Sequence, residues 1–598
     1  MRALLTGLGL LMAAPAWAAH AYAQFGDIKY PPGFQHWDYV DPAAPKGGEI
    51  RMVPPTTPTN FDKFNPFTLK GFEPPSEGEL LFDTLLTGNS DEPNTAYGLL
   101  ADDITVAPDR LSATFHLNPK ARFQDGQPVL AADVVHSFRT LTSDKAAPQY
   151  RVYFADVKGV QALDARTVRF DFARADPQLP LIVGGLPVFS RAWGKGKAFD
   201  EVVTEVPIAS GPYKLASTQF GRDVTYVRDP NYWAKDLPVR KGMFNFDRIT
   251  FRIYLDDTAR FEGFKAGEFD FMREFVSRNW ARQYYGKQFR TGELVKRAFP
   301  NHNPGDFQGY IFNLRNPKFR DIRVRQALND AFDFEWMNRN LFYGLYKRVE
   351  DYFPNSEFRA EGLPKPDELA LLEPLRPKLR PEVFGPMPVQ PTTTPPHSLR
   401  ENLRHAQALL KEAGWTYRDG ALRNAKGEPF TIEYLIDQPS MTRIAAPFEL
   451  ALRKLGIQLT YRVVDPSLAK QRMDHFQFEL TSRRLVGTTA PGTELLDRWG
   501  SKAANTTGSS NIWGLADPAV DVLLQKVISA RTRPDLDAAM RALDRVLTTG
   551  WYSIPQWYGS DFLVGYRARR FVLPPVIPPY YDVHSWAMST WWASPRNK

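Results

Sequence analysis

The chain has 598 residues, 43% of them apolar and 24% charged, which excludes a wholly disordered protein and a single small module. The net charge is +8, but basic residues are interleaved with acids and no five Lys or Arg run together, which argues against nucleic-acid binding. There is no cysteine, so disulfides, thiol catalysis and thiolate metal sites are excluded.

Met1 to Ala23 reads as a secretory leader. Arg2 supplies the positive start, Leu4 to Ala14 is a short apolar core, and two small-x-small sites follow, Ala16-Trp17-Ala18 and Ala21-Tyr22-Ala23. The apolar stretch falls short of the ~20 residues that span a bilayer. Cleavage after Ala18 or Ala23 would release a soluble exported protein, periplasmic if the source is Gram-negative.

Further along, Ser112 to Leu117 and Thr167 to Phe172 alternate as strands do. Arg323 to Phe342 predicts one helix, with Val324, Leu328, Ala331 and Phe332 inward. Pro374 to Pro396 holds eight prolines in 23 residues. Proline removes donors and fixes φ, so neither helix nor central strand is expected there. The stretch is either a flexible linker or a strap packed on a lobe, and Val383, Phe384 and Met387 favour the strap. Ser398-Leu399-Arg400-Glu401 is a capping box that starts a helix with Leu403, Ala406 and Leu410 on one face and Gly414 as its stop. Ile457 to Val463 predicts a strand, with Ile457, Leu459, Tyr461 and Val463 on one face. Asp517-Pro518 starts another helix with Val520, Leu523, Leu524, Val527 and Ile528 buried. The elements mix irregularly, as in an α/β or α+β protein.

Catalytic motifs are scarce. The chain has no G-x-S-x-G, H-E-x-x-H, Walker A or G-x-G-x-x-G pattern. Ser467-Leu468-Ala469-Lys470 fits S-x-x-K, yet the partner motifs K-T-G and S-D-N are missing. Aromatics say more: 14 Trp, 24 Tyr and 41 Phe, many beside Asn, Ser and Gly, suit a wide cleft for an amphipathic ligand.

Several segments together resemble the extracytoplasmic solute-binding proteins of family 5, the receptors of peptide/nickel-type ABC importers. Phe123-Gln124-Asp125-Gly126-Gln127-Pro128 followed by Ala132-Asp133-Val134-Val135-His136-Ser137 is similar to the family signature. Ser210-Gly211-Pro212-Tyr213 resembles its S/T-G-P-Y turn, and Asp229-Pro230-Asn231-Tyr232-Trp233 its N-P-x-Y-W element. Tyr39-Val40-Asp41-Pro42, Phe64-Asn65-Pro66-Phe67, Phe312-Asn313-Leu314-Arg315 and Glu382-Val383-Phe384-Gly385-Pro386 look like the YejA-like branch.

The resemblance implies an α/β, two-lobed periplasmic-binding-protein fold with a hinge and an extra inserted domain (cluster C type). Lobe I would comprise 24–75, 205–300 and 560–598, the inserted domain 76–204, and lobe II 301–559. The signature around Asp125-Gly126 is read as a structural turn. The implied ligand is a peptide or peptide-like compound, muropeptides and peptide antibiotics among them. The implied partners are an inner-membrane ABC permease and its cytoplasmic ATPase subunits. The protein would be a monomer that binds no nucleic acid, needs no cofactor or metal, and makes or breaks no bond. Lobe closure on the ligand would be its mechanism. An exported peptide or cell-wall hydrolase is the rival reading, and a chaperone or adhesin using the aromatic loops is a third.

Many oligopeptide-binding relatives set an acid, in a W-x-A-D-Y-like element, against the peptide's α-ammonium. The corresponding stretch is Phe478 to Thr488, where both Trp and Asp are missing and Thr488 takes the acid's place. That departure implies a site that does not rely on a free amine and accepts N-blocked peptides. Arg483 and Arg484 lie in the same element. Only one of two successive strand residues enters a cleft, and arginine suits a carboxylate. Asn65 and Phe67 are the next candidates, followed by Asn313, Trp499, Asn511, Trp513, Trp557 and Tyr558.

Overall fold

The computed structural model describes residues 19–54, 61–69, 71–254, 256–439 and 441–595. The apolar core of the leader, and the Ala16-Trp17-Ala18 site, lie outside the described residues. The chain divides into two compact units. The first runs to Arg273, then takes Lys287–Val295 and the chain from Gly565 onward; the second takes Glu274–Gly286 and Lys296–Val564.

Three antiparallel or mixed sheets organise the first unit. Ala21–Ala23, Thr95–Gly98 and Leu86–Gly88 form a small one. Ala101–Val106, Ser112–Leu117, Thr167–Phe172 and Val157–Ala162 form an antiparallel four-stranded one. Both strands expected there are present with the predicted bounds. The third sheet includes Phe271–Arg273, Glu49–Met52, Arg248–Arg252, Asp223–Arg228 and Tyr213–Gln219, in that order.

The signature segments hold this unit together. Gly126 has φ +87°, a conformation that glycine adopts without strain, and Asp125 Oδ1 accepts from Gln127 N at 2.9 Å to close the turn. Asp133 receives Arg191 Nε at 2.9 Å. Gly211 N donates to Leu81 O at 2.8 Å, and a Cβ at Gly211 would stand 2.5 Å from the Leu81 carbonyl carbon, so only glycine permits this crossing. The Tyr232 hydroxyl and Trp233 Nε1 donate to the buried Asp83 carboxylate at 2.9 and 3.0 Å.

In the second unit a five-stranded sheet runs in the order Gln458–Val463, Thr431–Ile436, Leu480–Leu485, Phe307–Phe312, Ser553–Pro555. The first three strands are parallel, and Phe307–Phe312 is antiparallel to both its neighbours. Tyr310, Phe332, Tyr434 and Phe448 pack on one face as a single core. Residues of the helices Ile322–Asp330, Leu399–Glu412 and Met441–Lys454 join that core. The capping box is formed: Ser398 Oγ accepts from Glu401 N at 3.3 Å and Ser398 N donates to Glu401 Oε2 at 2.9 Å. Asp517 caps the helix Pro518–Ile528 through Ala519 N at 2.8 Å.

Three expectations need correction. The predicted helix over Arg323 to Phe342 is two helices, Ile322–Asp330 and Phe334–Asn340, because Asp333 turns out of the helical conformation and accepts from Trp336 N as a new cap. The proline-rich stretch is not free of helix: Glu373–Lys378 and Pro381–Phe384 are short 3₁₀ turns. Proline at the first turn of such a segment costs nothing, since that N–H has no partner anyway. Val383 is buried, and Gln390 Nε2 donates to Glu350 O at 3.3 Å, so the stretch packs as a strap. The strand Gln458–Val463 buries Leu459 but leaves Val463 46% exposed, so its apolar face is not covered to the end.

Candidate functional site

The second unit carries a pocket of about 240 Å³ at the C-terminal ends of Thr431–Ile436 and Leu480–Leu485. Open α/β sheets bind ligands at such strand ends, where side chains of neighbouring strands converge and the backbone leaves the ladder. The last paired couple of these strands is Leu435 with Thr481. Two residues further on are Asp437, just past the end of its strand, and Arg483, and both line the pocket. Met441, Ala469 and Met473 come from the helices Met441–Lys454 and Pro466–Asp474 and supply an apolar wall. Gln308, Gln438 and Ser482 add polar groups.

The charges in this pocket are unusual. Arg483 is half-buried, and its side chain has no hydrogen bond or ion pair among the described residues. Asp437 is also half-buried and equally unpaired among the described residues. A partly desolvated charge without a partner costs free energy. A ligand that supplies the counter-charge removes that cost. Tyr434 lies below them, 1% exposed, and burial pushes its phenol well above the ordinary tyrosine range. It therefore stays neutral across physiological pH.

Arg484 also lines the pocket, but its charge is already met. Its side chain is 68% exposed and its guanidinium is ion-paired with Asp306. Asp306 also accepts from Gly487 N at 2.9 Å. Arg484 is thus occupied in tying the end of its strand to the start of the adjoining one. Thr488 Oγ1 accepts from Ala490 N at 3.1 Å, a local turn contact.

The remaining sequence candidates are placed elsewhere. Asn65 is fully buried, donating to Val202 O at 3.0 Å and accepting from Phe67 N at 3.0 Å. Phe67 stacks on Phe189 with centroids 5.5 Å apart. Asn313 donates to Phe476 O and Phe478 O at 2.9 and 2.8 Å. Trp499 and Trp513 face each other at 4.3 Å between centroids, and Trp513 Nε1 donates to Ser553 Oγ at 2.8 Å. Asn511 donates to Gly500 O and Leu515 O at 3.0 and 2.8 Å. Trp557 packs on Phe342 at 4.5 Å, and Tyr558 lies in the two-stranded pairing with Lys347. All of these are engaged in holding the fold, and none of them lines the pocket.

Sequence reasoning missed Asp437, Gln308 and Met441. The available signal for Asp437 was an acid placed directly after the apolar run Tyr434-Leu435-Ile436, where a strand ends. A wider recess of about 530 Å³ beside Asn313 is lined by Glu433, Arg472 and Glu479. There Glu433 pairs with Arg462 at 2.6 Å and Arg472 at 3.3 Å, and Glu479 with Lys318 at 2.7 Å. Its acids are already neutralised from within the chain, which leaves the smaller pocket as the better candidate. The Ser467–Lys470 motif falls in the helix Pro466–Asp474, where Lys470 pairs with Asp474 one turn on, so the hydrolase reading finds no support.

Residues 95–507 match the family model for bacterial extracellular solute-binding proteins, family 5 (middle region). The probable peptide-binding protein YejA of Agrobacterium fabrum is 38% identical over 566 residues, covering 93% of this chain and 91% of that protein. The peptidoglycan-binding protein YepA of the same organism is 32% identical, covering 98% of this chain and 97% of that protein. Among solved structures, the periplasmic murein tripeptide binding protein MppA, in its unliganded open form, aligns with a TM-score of 0.63. Its identity is 18%, and the alignment covers 95% of this chain and 100% of that one. At that identity the likeness establishes the fold, which is the periplasmic-binding-protein fold expected from the motifs.

Proposed function

The chain belongs to the bacterial extracellular solute-binding proteins of family 5, in the YejA-like branch, and on that premise we propose that it captures peptides or peptide-like solutes for an ABC importer. Peptidoglycan stem peptides are the favoured class, in keeping with the peptidoglycan-binding YepA and the murein-tripeptide-binding MppA. The observation that carries the reading is the unpaired Arg483 in the strand-end pocket, with the unpaired Asp437 beside it. Arg483 offers a two-pronged match to a ligand carboxylate. Asp437 offers an acceptor to a ligand ammonium or amide N–H. The Phe478–Thr488 element has Thr488 at the motif's acid position, and its Glu479 is paired with Lys318, but Asp437 follows the neighbouring strand and offers a partner for a positive ligand group.

Capture requires no chemical step. Ligand binding stabilises the loaded conformation, and that conformation is the one delivered to the inner-membrane permease and its ATPase subunits. In this reading the protein is exported, acts in the periplasm as a monomer, catalyses nothing, and has lobe I, the inserted domain and lobe II divided at residues 76, 205, 301 and 560.

Native mass spectrometry of the protein purified from the periplasm, before and after denaturation and refolding, tests the proposal. A mass excess that vanishes on refolding, and that fragments as a peptide, is the expected result. A nucleotide, lipid or metal-chelate excess would contradict the ligand class. Steady turnover of a peptide panel by the purified protein would favour a hydrolase instead.

A further inference from the structure

The two small-x-small sites near the N-terminus are equivalent by sequence, but the residues between them are not dispensable in the fold. Ala19 and Ile104 exchange a pair of backbone bonds, Ala19 N to Ile104 O at 3.0 Å and Ile104 N to Ala19 O at 2.9 Å. Gly98 N donates to His20 O at 2.9 Å, and the His20 ring donates to Tyr30 O at 2.9 Å. Ala21–Ala23 is a strand, antiparallel to Thr95–Gly98, with Ala21 opposite Tyr97 and Ala23 opposite Thr95. Ala21 is 2% exposed and belongs to a core with Tyr30, Trp37 and Tyr97. The Tyr22 hydroxyl donates to Pro177 O at 2.9 Å.

We propose that the leader is removed at the Ala18–Ala19 bond, so that Ala19 is the mature N-terminus and the Ala21-Tyr22-Ala23 site is left uncut. Water adds across the amide: Ala18 departs with the carboxylate and Ala19 keeps the amine. The inference rests on the reading of the chain as an exported protein. A leader peptidase requires small residues one and three places before the cut, and Ala16 and Ala18 meet that requirement. The Ala19 nitrogen remains a donor after cleavage, so its bond to Ile104 O survives the change from amide to ammonium. A cut after Ala23 would delete the edge strand of a three-stranded sheet. The backbone groups of Thr95–Gly98 that face it would lose their partners, and an apolar core would open beside Tyr97. Buried backbone donors and acceptors left unpaired are costly, so the folded protein itself requires residues 19–23.

The test is N-terminal sequencing, with intact mass, of the protein exported from cells carrying the full-length gene with its own leader. The expected terminus is Ala19-His20-Ala21-Tyr22. A terminus at Gln24 would overturn the choice of bond while leaving export intact. An uncut Met1 would overturn export and this inference together, and the two failures are told apart by mass alone. A second gene, with residues 19–23 deleted so that Gln24 follows Ala18, checks the structural premise. Its product should be recovered with a lowered thermal midpoint or not accumulate at all. An unchanged midpoint would show that the strand is dispensable and would remove the ground of the proposal.

Discussion

Asp437 and Arg483 line one pocket, each two residues beyond the paired couple Leu435 and Thr481, and neither side chain is paired with another described residue. Opposite charges that line one pocket without pairing form a ready receptor for a molecule that carries both signs. Peptides do so at their termini, and stem peptides also along their side chains. The apolar wall of Met441, Ala469 and Met473 can cover the aliphatic part between such groups.

Arg484 should matter little to binding, although it adjoins Arg483. It lines the same pocket, but its guanidinium is already neutralised by Asp306. Arg484→Ala is expected to change ligand affinity less than ~3-fold, and stability by no more than ~1 kcal/mol, the usual worth of an exposed ion pair. Titration calorimetry and urea unfolding would check both. A loss of affinity equal to that of Arg483→Ala would reassign the contact.

Asn511 should act on stability and not on ligand. Its amide holds Gly500 O and Leu515 O, and its carbonyl accepts from Gly514 N and Leu515 N at 3.1 and 3.0 Å. Asn511→Ala leaves these buried groups unpaired, at a cost of about 1–3 kcal/mol. Urea unfolding is the measurement. Unaltered unfolding together with weakened ligand binding would place Asn511 in the site instead.

The buried pair of Arg545 and Glu368 should be a sensitive point of the second unit. Both side chains have 0% exposure, with Nε 3.2 Å from Oε2. Arg545 also donates to Gly362 O and Gly385 O at 3.1 and 3.0 Å, the latter tying down the proline-rich strap. Arg545→Met would leave Glu368 with Arg541 Nε at 3.1 Å as its remaining ion partner and would unpair the carbonyls of Gly362 and Gly385, and we expect a loss of about 1–3 kcal/mol. A midpoint of denaturation within error of the parent would refute this.

Asp330 predicts a pH dependence. Burial raises its carboxyl from an ordinary 3.8 to about 6, partly offset by His405, whose Nδ1 lies 2.7 Å away, and by the more distant Arg348. A raised acid holds its proton in the folded state after the unfolded chain has lost it. Its contribution is therefore present below pH ~4 and is lost as pH rises to about 6. Asp330→Asn removes this dependence. The variant should gain on the parent by up to about 3 kcal/mol between pH 4 and 7. Parallel stability curves for the two proteins would contradict the assignment.

Local chemistry was readable in the sequence wherever one residue acts on its near neighbours. Ser398 and Glu401 form their capping box, Asp517 caps its helix, and Asp125-Gly126 makes its turn, since each needs only contacts two or three residues away. The apolar stripe Val324, Leu328, Ala331 and Phe332 misled because it runs unbroken through the gap between two helices, all four residues being buried. The break depends on Asp333 serving as a cap, which periodicity does not register. Polar-aromatic loops misled for a related reason: Asn511 beside Trp513 suggested a ligand surface, yet the amide is turned inward to satisfy its own loop. Arg483 was legible as a residue type, but which arginine is free depends on Asp306, 178 residues from Arg484. Asp437 was legible only as an acid at a strand's end, because the pairing of two strands is what brings it into one pocket with Arg483.

Arg483 is the residue proposed to receive a ligand carboxylate. The most direct test is calorimetric titration of a peptidoglycan stem tetrapeptide and its C-terminal amide into the parent protein and into Arg483→Gln. The parent should bind the acid more tightly, by roughly 10- to 100-fold, as a charged hydrogen bond worth about 1.5–3 kcal/mol implies. Arg483→Gln should remove most of that preference. Equal affinity of the parent for acid and amide, or an acid preference undiminished in Arg483→Gln, would contradict it.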